Sequence, residues 1–291
     1  MKALLICPSA RDSVQLLEQT IPLSNLPLLG QSLLEYWCSH LACSGVKEIC
    51  VLAHDRPAEV QRMVGEGARW GVKAKVLEES RELTPAQALL KHERELDSTN
   101  TASQTIFVLD HFPGKSELPL FTSYEDFFTA VRDWIPNAIS PDRVGVREAQ
   151  PGVWVALQSH VAPTARLQAP CWIGKSVFVG ARCVLGPNAV LEEGAFIEPD
   201  TTITESIVSA HTFVGRFTEL TGSMALGNHL VNWATGSVTV IPDPFVMCAL
   251  RRPTQFRTAK WLARLAELYS GEKEEGHALA KHLLMHKGRQ S

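Results

Sequence analysis

The sequence predicts a parallel α/β domain, then a left-handed parallel β-helix, then a helical C-terminal tail. Three observations carry this: a six-residue repeat of branched aliphatics in the second half, apolar runs alternating with amphipathic stretches in the first, and an apolar stripe at helical spacing near the end. The repeat is the strongest signal. Counting by sixes from Val155 gives Val161, Leu167, Ile173, Val179, Leu185, Leu191, Ile197 and Ile203. The phase then slips by one, at a bulge or small loop expected at Ser209, and continues through Val208, Val214, Leu220 and Leu226. Two places before most of these stands a small residue: Ser159, Ala165, Cys171, Cys183, Ala189, Ala195 or Thr201. Gly174, Gly180 and Gly186 follow the aliphatics, and Pro163, Pro187 and Pro199 recur nearby. The spacing describes a coil with three flat sides, each aliphatic pointing inward and stacking on its counterpart one turn later. Gly and Pro are expected to supply the corner dihedrals. A sandwich of alternating strands would instead show a period of two with irregular turns.

In the first half, Ala3–Ile6, Glu48–Ala53, Lys73–Leu77 and Thr105–Leu109 read as strands. Leu33–Ser44, Ala58–Gly65, Pro85–Leu96 and Tyr124–Ile135 read as helices, and Gly45 closes the first of them. Strand and helix in alternation is the pattern of a parallel sheet. In the tail, Trp261, Leu262, Leu265, Leu268 and Tyr269 share one helical face, and Leu279, Leu283 and Leu284 continue the stripe after Gly271. Covering a β-helix end or packing in a trimer fits this tail, with its mixed Glu and Lys, better than a membrane-surface role. The expected boundaries are 1–140 for the α/β domain, 150–250 for the β-helix and 254–291 for the tail. Asn232–Ser237 and Pro242–Phe245 read as loops, with Trp233 and Phe245 covering the coil end.

Composition narrows the function. Of 291 residues, 45% are hydrophobic, and the net charge is 28 − 31 = −3, with no basic block. That excludes electrostatic capture of nucleic acid or of an anionic membrane surface. The apolar run after Met1 is too short for a secretory signal or a membrane span, so the expected location is cytoplasmic. The seven cysteines are an odd number, mostly inside apolar runs and without a C-x-x-C pair, which reads as reduced, buried thiols and no zinc.

Three blocks then carry a resemblance. Pro27-Leu28-Leu29-Gly30-Gln31-Ser32-Leu33-Leu34-Glu35-Tyr36, Gly45-Val46-Lys47-Glu48-Ile49-Cys50-Val51 and Gly67-Ala68-Arg69-Trp70-Gly71-Val72 stand in order. They resemble the "PVxGKPLLEY", "GVKEIxV" and "GxxWGV" segments of the sugar-1-phosphate nucleotidyltransferases, the nucleotide-sugar pyrophosphorylase family, in which a β-helix tail is common. The resemblance implies a shortened, Rossmann-like nucleotidyltransferase domain over roughly the first 110 residues.

The catalytic blocks depart from that family. Its glycine-rich phosphate loop falls on Cys7-Pro8-Ser9-Ala10-Arg11-Asp12-Ser13, which has no glycine and where Pro8 removes an N–H donor. Pro8, Ser9, Ala10 and Arg11 are the nucleotide-binding candidates that remain. The charge-neutralising lysine falls on Leu23. The base-recognition turn falls on Thr84-Pro85-Ala86-Gln87-Ala88-Leu89, without its glycines. The metal carboxylate falls on His111 unless Asp110 substitutes, so Asp110 is the candidate for catalysis and for metal, and Mg²⁺ is expected only if nucleotidyl transfer persists. About forty residues separate Asp110 from the coil, too few for the family's sugar-binding half.

The coil has its own comparison. Thr212-Phe213-Val214-Gly215 with Asn228-His229-Leu230 is similar to the acetyltransferase half of the bifunctional N-acetylglucosamine-1-phosphate uridyltransferases, but the family's catalytic histidine falls on Phe213. His211 and His229 are the other candidate bases.

These readings point to a catalytically degenerate pyrophosphorylase homologue, leaning to no enzyme activity. It would bind a nucleotide or sugar nucleotide, or regulate a partner enzyme, in envelope or exopolysaccharide sugar metabolism. It is expected to be a homo-oligomer, with a trimer as the natural form. An active sugar-1-phosphate nucleotidyltransferase and a hexapeptide-repeat acyltransferase using acyl-coenzyme A stand as the alternatives.

Overall fold

The computed structural model describes residues 1–92, 104–115, 118–139 and 145–250. Met1–Leu250 forms one compact unit. The tail expected over 254–291 and the end of the linker before the coil lie outside the described residues.

The described residues of the first half form six strands: β1 (Lys2–Ile6), β2 (Pro27–Leu28), β3 (Gln31–Ser32), β4 (Glu48–Ala53), β5 (Lys73–Glu78) and β6 (Gln104–Val108). The helices are α1 (Gln15–Glu18), α2 (Leu33–Cys43), α3 (Pro57–Val64), α4 (Pro85–Lys91) and α5 (Tyr124–Trp134). The long strands make an all-parallel sheet in the order β5-β4-β1-β6, with β2 and β3 as a separate hairpin. Alternation along β1 splits the core between the two faces. Ala3, Leu5 and Cys7 join Leu33, Leu34 and Trp37 of α2, whereas Leu4 and Ile6 join Leu83 and Ala88. The expected helix Pro85–Leu96 stops at Lys91, because His92 leaves helical dihedrals and its Nε2 lies 2.6 Å from Glu79 Oε1.

Two of the three resemblance blocks meet. Ser32 caps α2 by accepting from the Glu35 N–H at 3.2 Å, and Glu35 returns a bond to the Ser32 N–H at 2.8 Å. The other Glu35 oxygen pairs with Arg69 of the third block. These segments are scaffold: they cap a helix and tie it to the next crossover.

The second half is a three-sided parallel β-helix, the architecture that the hexads predict. Ile173 pairs with Val155 and Leu191, Val179 with Val161 and Ile197, and Leu185 aligns with Leu167 and Ile203. All but Val161 and Leu167 are buried in the coil's own core. The next turns are one residue shorter, since Leu191 pairs with Val208 and Val208 with Ala225. The slip therefore lies at a shortened corner between Ile203 and Val208, not at Ser209, whose N–H bonds the Ala225 carbonyl at 2.9 Å in the regular ladder. The same short corner recurs after Leu220. Ala225 thus takes the interior place expected of Leu226, which faces the other core. Two expected corner glycines also serve a different purpose. A Cβ on Gly174 would lie 2.8 Å from the Leu191 carbonyl oxygen and one on Gly180 would lie 2.5 Å from the Pro199 nitrogen, so the next coil's approach excludes a side chain.

Antiparallel strands extend the coil at its end: His229–Asn232 on Ser223–Leu226, Val238–Val240 beyond it, and Met247–Ala249 on Thr212–Val214. The sequence reading anticipated the loops between them but not these strands. Met247 plugs the coil core, whereas Phe245 is 82% exposed and covers nothing. Trp233 stacks on Phe128 of α5 at 4.7 Å instead of closing the coil.

Each outer side of the prism differs. Trp154, Trp172, Val190, Ile207 and Met224 line one side and merge with Tyr124, Phe127, Phe128 and Val131 into a single core. Arg166, Thr202 and Glu219, with Val184 between them, make the second side mostly polar. His160, Phe178, Phe196 and Phe213 stack along the third, with successive centroids 5.2, 4.4 and 5.9 Å apart. Among the cysteines, Cys43 is exposed and Cys50 and Cys248 are only half-buried, contrary to the expectation of burial. Burial pushes the thiols of Cys7, Cys38 and Cys171 up to about 12, which keeps them protonated and inert.

Candidate functional site

In a parallel sheet of this kind, ligands bind beyond the carboxyl ends of the strands, where the strand order reverses. Here that point lies between β1 and β6. The loop after β1 carries Pro8, Ser9, Ala10 and Arg11, and Asp110 and His111 follow β6. The sequence candidates for the nucleotide and the metal are therefore brought to one edge.

The loop's donors are engaged within the chain. Arg11 forms a two-pronged pair with Glu82, from Nη1 to Oε2 and from Nη2 to Oε1, both at 2.7 Å. The Ser9 N–H donates to Glu82 Oε2 at 2.9 Å, and the Arg11 N–H donates to Glu18 Oε2 at 2.9 Å. Ala10 is exposed and Pro8 is buried. The hydrogen bond to Glu82 pushes the Arg11 guanidinium above its ordinary value, and the fields of Asp110 and Glu18 add to it. Burial opposes ionisation of Glu82, but the Arg11 and Ser9 hydrogen bonds outweigh it and hold the carboxyl below its ordinary value. Glu82 is a residue that the sequence reading missed. It sits 71 positions from Arg11, in the stretch between β5 and α4, and no local pattern marks it.

Leu23, at the expected lysine position, is fully buried in the core beneath a short 3-10 turn. A cation placed there would have no water. Thr84 caps α4 and pairs with Gln87 in a capping box, which gives this segment a structural purpose. His111 packs its ring against Trp37 at 5.3 Å, and its carbonyl accepts the Trp37 indole N–H at 2.9 Å. Asp110 bonds the His111 Nδ1 and lies in the field of Arg11. One carboxylate already paired with a histidine, beside a guanidinium, does not fit Mg²⁺, which takes an octahedron of oxygens. Among the described residues no group of three metal-ligating side chains converges.

A concavity of about 360 Å³ lies between the α/β domain and the coil. Leu26, Leu28, Phe127 and Met224 make its apolar floor, and Asn228 and His229 stand in its wall. His211 is not part of that wall. It occupies a coil corner at φ 53, where its ring fills the space a Gly194 side chain would need. The two histidine candidates are thus not assembled into one site, and Phe213 belongs to the aromatic stack.

The nucleotidyl transferase family matches residues 17–123. No curated protein sequence gives a match. Among solved structures, PerB from Caulobacter crescentus in complex with CoA and GDP-perosamine is 18% identical, with 66% of this chain and 97% of that chain covered and a TM-score of 0.22. A mutant of the perosamine N-acetyltransferase from Caulobacter crescentus, with the same two ligands, is 15% identical over 66% of this chain and 96% of that chain, at a TM-score of 0.21. Residues 17–123 are thus similar to the nucleotidyl transferases, and the strand pairing makes the second half a three-sided parallel β-helix built on a six-residue repeat.

Proposed function

We propose that this protein is a catalytically degenerate relative of the nucleotide-sugar pyrophosphorylases. It serves sugar-nucleotide metabolism as a nucleotide or sugar-nucleotide binding subunit, or as the regulator of a partner enzyme. The observation that carries the reading is the closed loop after β1, where Arg11 and the Ser9 N–H are held by Glu82. Nucleotidyl transfer depends on positioning and on neutralising phosphate charge. Arg11 is engaged by a carboxylate, Leu23 stands in place of a cation and Asp110 is tied to His111, so each expected source of that neutralisation is occupied or lost. The expected result is no pyrophosphate release from nucleoside triphosphates and sugar 1-phosphates in magnesium buffer, together with a raised Tm in the presence of a nucleotide sugar. A ligand at 100 times its Kd adds about 2.7 kcal/mol to stability, which a melting curve resolves. Magnesium-dependent turnover that is lost on Asp110→Ala would replace this reading with the active one.

The same reading includes self-association into a homo-oligomer, with the trimer as the form to test. Its support is the third side of the prism, where Phe178, Phe196 and Phe213 stand outward and only half-buried. Exposed Phe217 and Phe245 add apolar area. An apolar sheet side of this extent calls for a covering partner. Phe196→Asp is expected to reduce the mass seen by sedimentation to that of the single 32.0 kDa chain, with an unchanged circular dichroism spectrum. An unchanged mass for the variant, or a wild-type chain that already sediments singly, would count against it.

A further inference from the structure

The loop after β1 holds an anion supplied by the chain itself, and the fit is incomplete. Both Glu82 oxygens are used, Oε2 by the Ser9 N–H and one Arg11 nitrogen, Oε1 by the other Arg11 nitrogen. The Ser9 hydroxyl is buried and makes no hydrogen bond of good geometry, although it lies close enough to favour the charged form of Glu82. The loop therefore presents four donors, of which Glu82 satisfies three and leaves the Ser9 hydroxyl without a well-placed acceptor. A phosphoryl group carries three oxygens about a tetrahedral centre, and an arginine fork accepts it in the same two-pronged way. The fourth donor would then have an acceptor. The place is also where a parallel sheet takes its ligands. Glu82 itself lies outside regular structure, between β5 and α4, so its side chain can leave without breaking the sheet.

We propose that Glu82 is a built-in competitor: it occupies an anion site made by Ser9 and Arg11, and a phosphoryl group enters only by displacing it. This rests on the nucleotide-sugar reading and names how that site is regulated. Glu18 and Asp110 remain near Arg11 after Glu82 leaves, which limits the affinity of the opened site.

The test is calorimetric titration of the full chain with inorganic pyrophosphate. Glu82→Gln removes the competing charge and is expected to bind about tenfold tighter than wild type, since a like charge against a bound anion costs at least that much. Glu82→Asp withdraws the carboxylate by one methylene, and is expected to show a smaller gain should the glutamine variant fail to fold. In either background, Arg11→Lys is expected to abolish the gain and Ser9→Ala to reduce it, whereas Ser9→Ala alone does not lower the wild-type Tm. No gain in folded Glu82 variants overturns the proposal, as does a gain that survives both loop substitutions. Failure of the wider reading shows separately, as turnover or as no nucleotide-sugar shift in the wild-type chain.

Discussion

Trp172→Ala is expected to lower the free energy of unfolding by about 3–5 kcal/mol, the range for removing a large buried aromatic. The ring is fully buried, on a strand whose neighbours in register are Trp154 and Val190. Its backbone belongs to the coil, but its side chain belongs to the core shared with α5. A cavity there cannot collapse from the coil side, because parallel pairing on both flanks fixes the strand spacing. Collapse from the helix side would drag α5 away from Phe112, which stacks on Trp134 at 4.6 Å. The effect should therefore appear in both halves of the molecule. Guanidinium unfolding followed by far-ultraviolet circular dichroism measures it. A loss below about 1 kcal/mol would mean that the two halves are held by something other than this core. Ile173→Ala is the control, since Ile173 faces only the coil interior.

The inward pattern of the coil was legible because it is a packing necessity. A residue on the axis must match the one a turn later, so the hexads repeat in the sequence as strictly as they stack. Leu226 was misread because one corner is shortened twice, and counting by sixes absorbs the first slip but not the second. The outer sides were also written in the sequence, one place before each interior residue. Trp154, Trp172, Val190, Ile207 and Met224 precede Val155, Ile173, Leu191, Val208 and Ala225, a side apolar both inside and out. A strand buried on both faces reads in this continuous way, and it marked the side that the α/β domain covers. Phe178, Phe196 and Phe213 mark the third side by the same logic.

What could not be read were the carboxylates. Glu82 meets Arg11 across 71 positions, and Glu192 meets Leu29 across 163. In sequence each is one acidic residue among 31. Only the fold shows that both are acceptors for backbone N–H groups turned outward from a loop. The resemblance also misdirects here. The segment around Gly30 reads as part of a family signature, but its geometry is set by a partner on the β-helix.

Glu192→Ala is expected to cost about 3 kcal/mol, since two hydrogen bonds to a buried carboxylate contribute about 1.5–3 each. Leu29 and Gly30 form the turn between β2 and β3 with φ of 52 and 76, both in the left-handed region that a tight hairpin requires. That conformation is unfavourable for a leucine, and it turns successive N–H groups to one side as an anion-binding hollow. Glu192 fills the hollow: Oε1 accepts from the Leu29 N–H at 2.5 Å and Oε2 from the Gly30 N–H at 3.1 Å. The carboxylate is 4% exposed, so water does not replace it readily. Without it, both N–H groups lose this acceptor in a dry place while the turn keeps its strained dihedrals. Glu192→Gln is not a rescue, because one end of its amide would bring a donor against a donor. Its cost is expected to approach that of alanine, and Glu192→Asp, one methylene short, should also fail to restore the pair. Urea unfolding of the three variants tests this. A glutamine variant as stable as wild type would mean that the charge is unnecessary, and that the turn is held within its own hairpin and not by the β-helix.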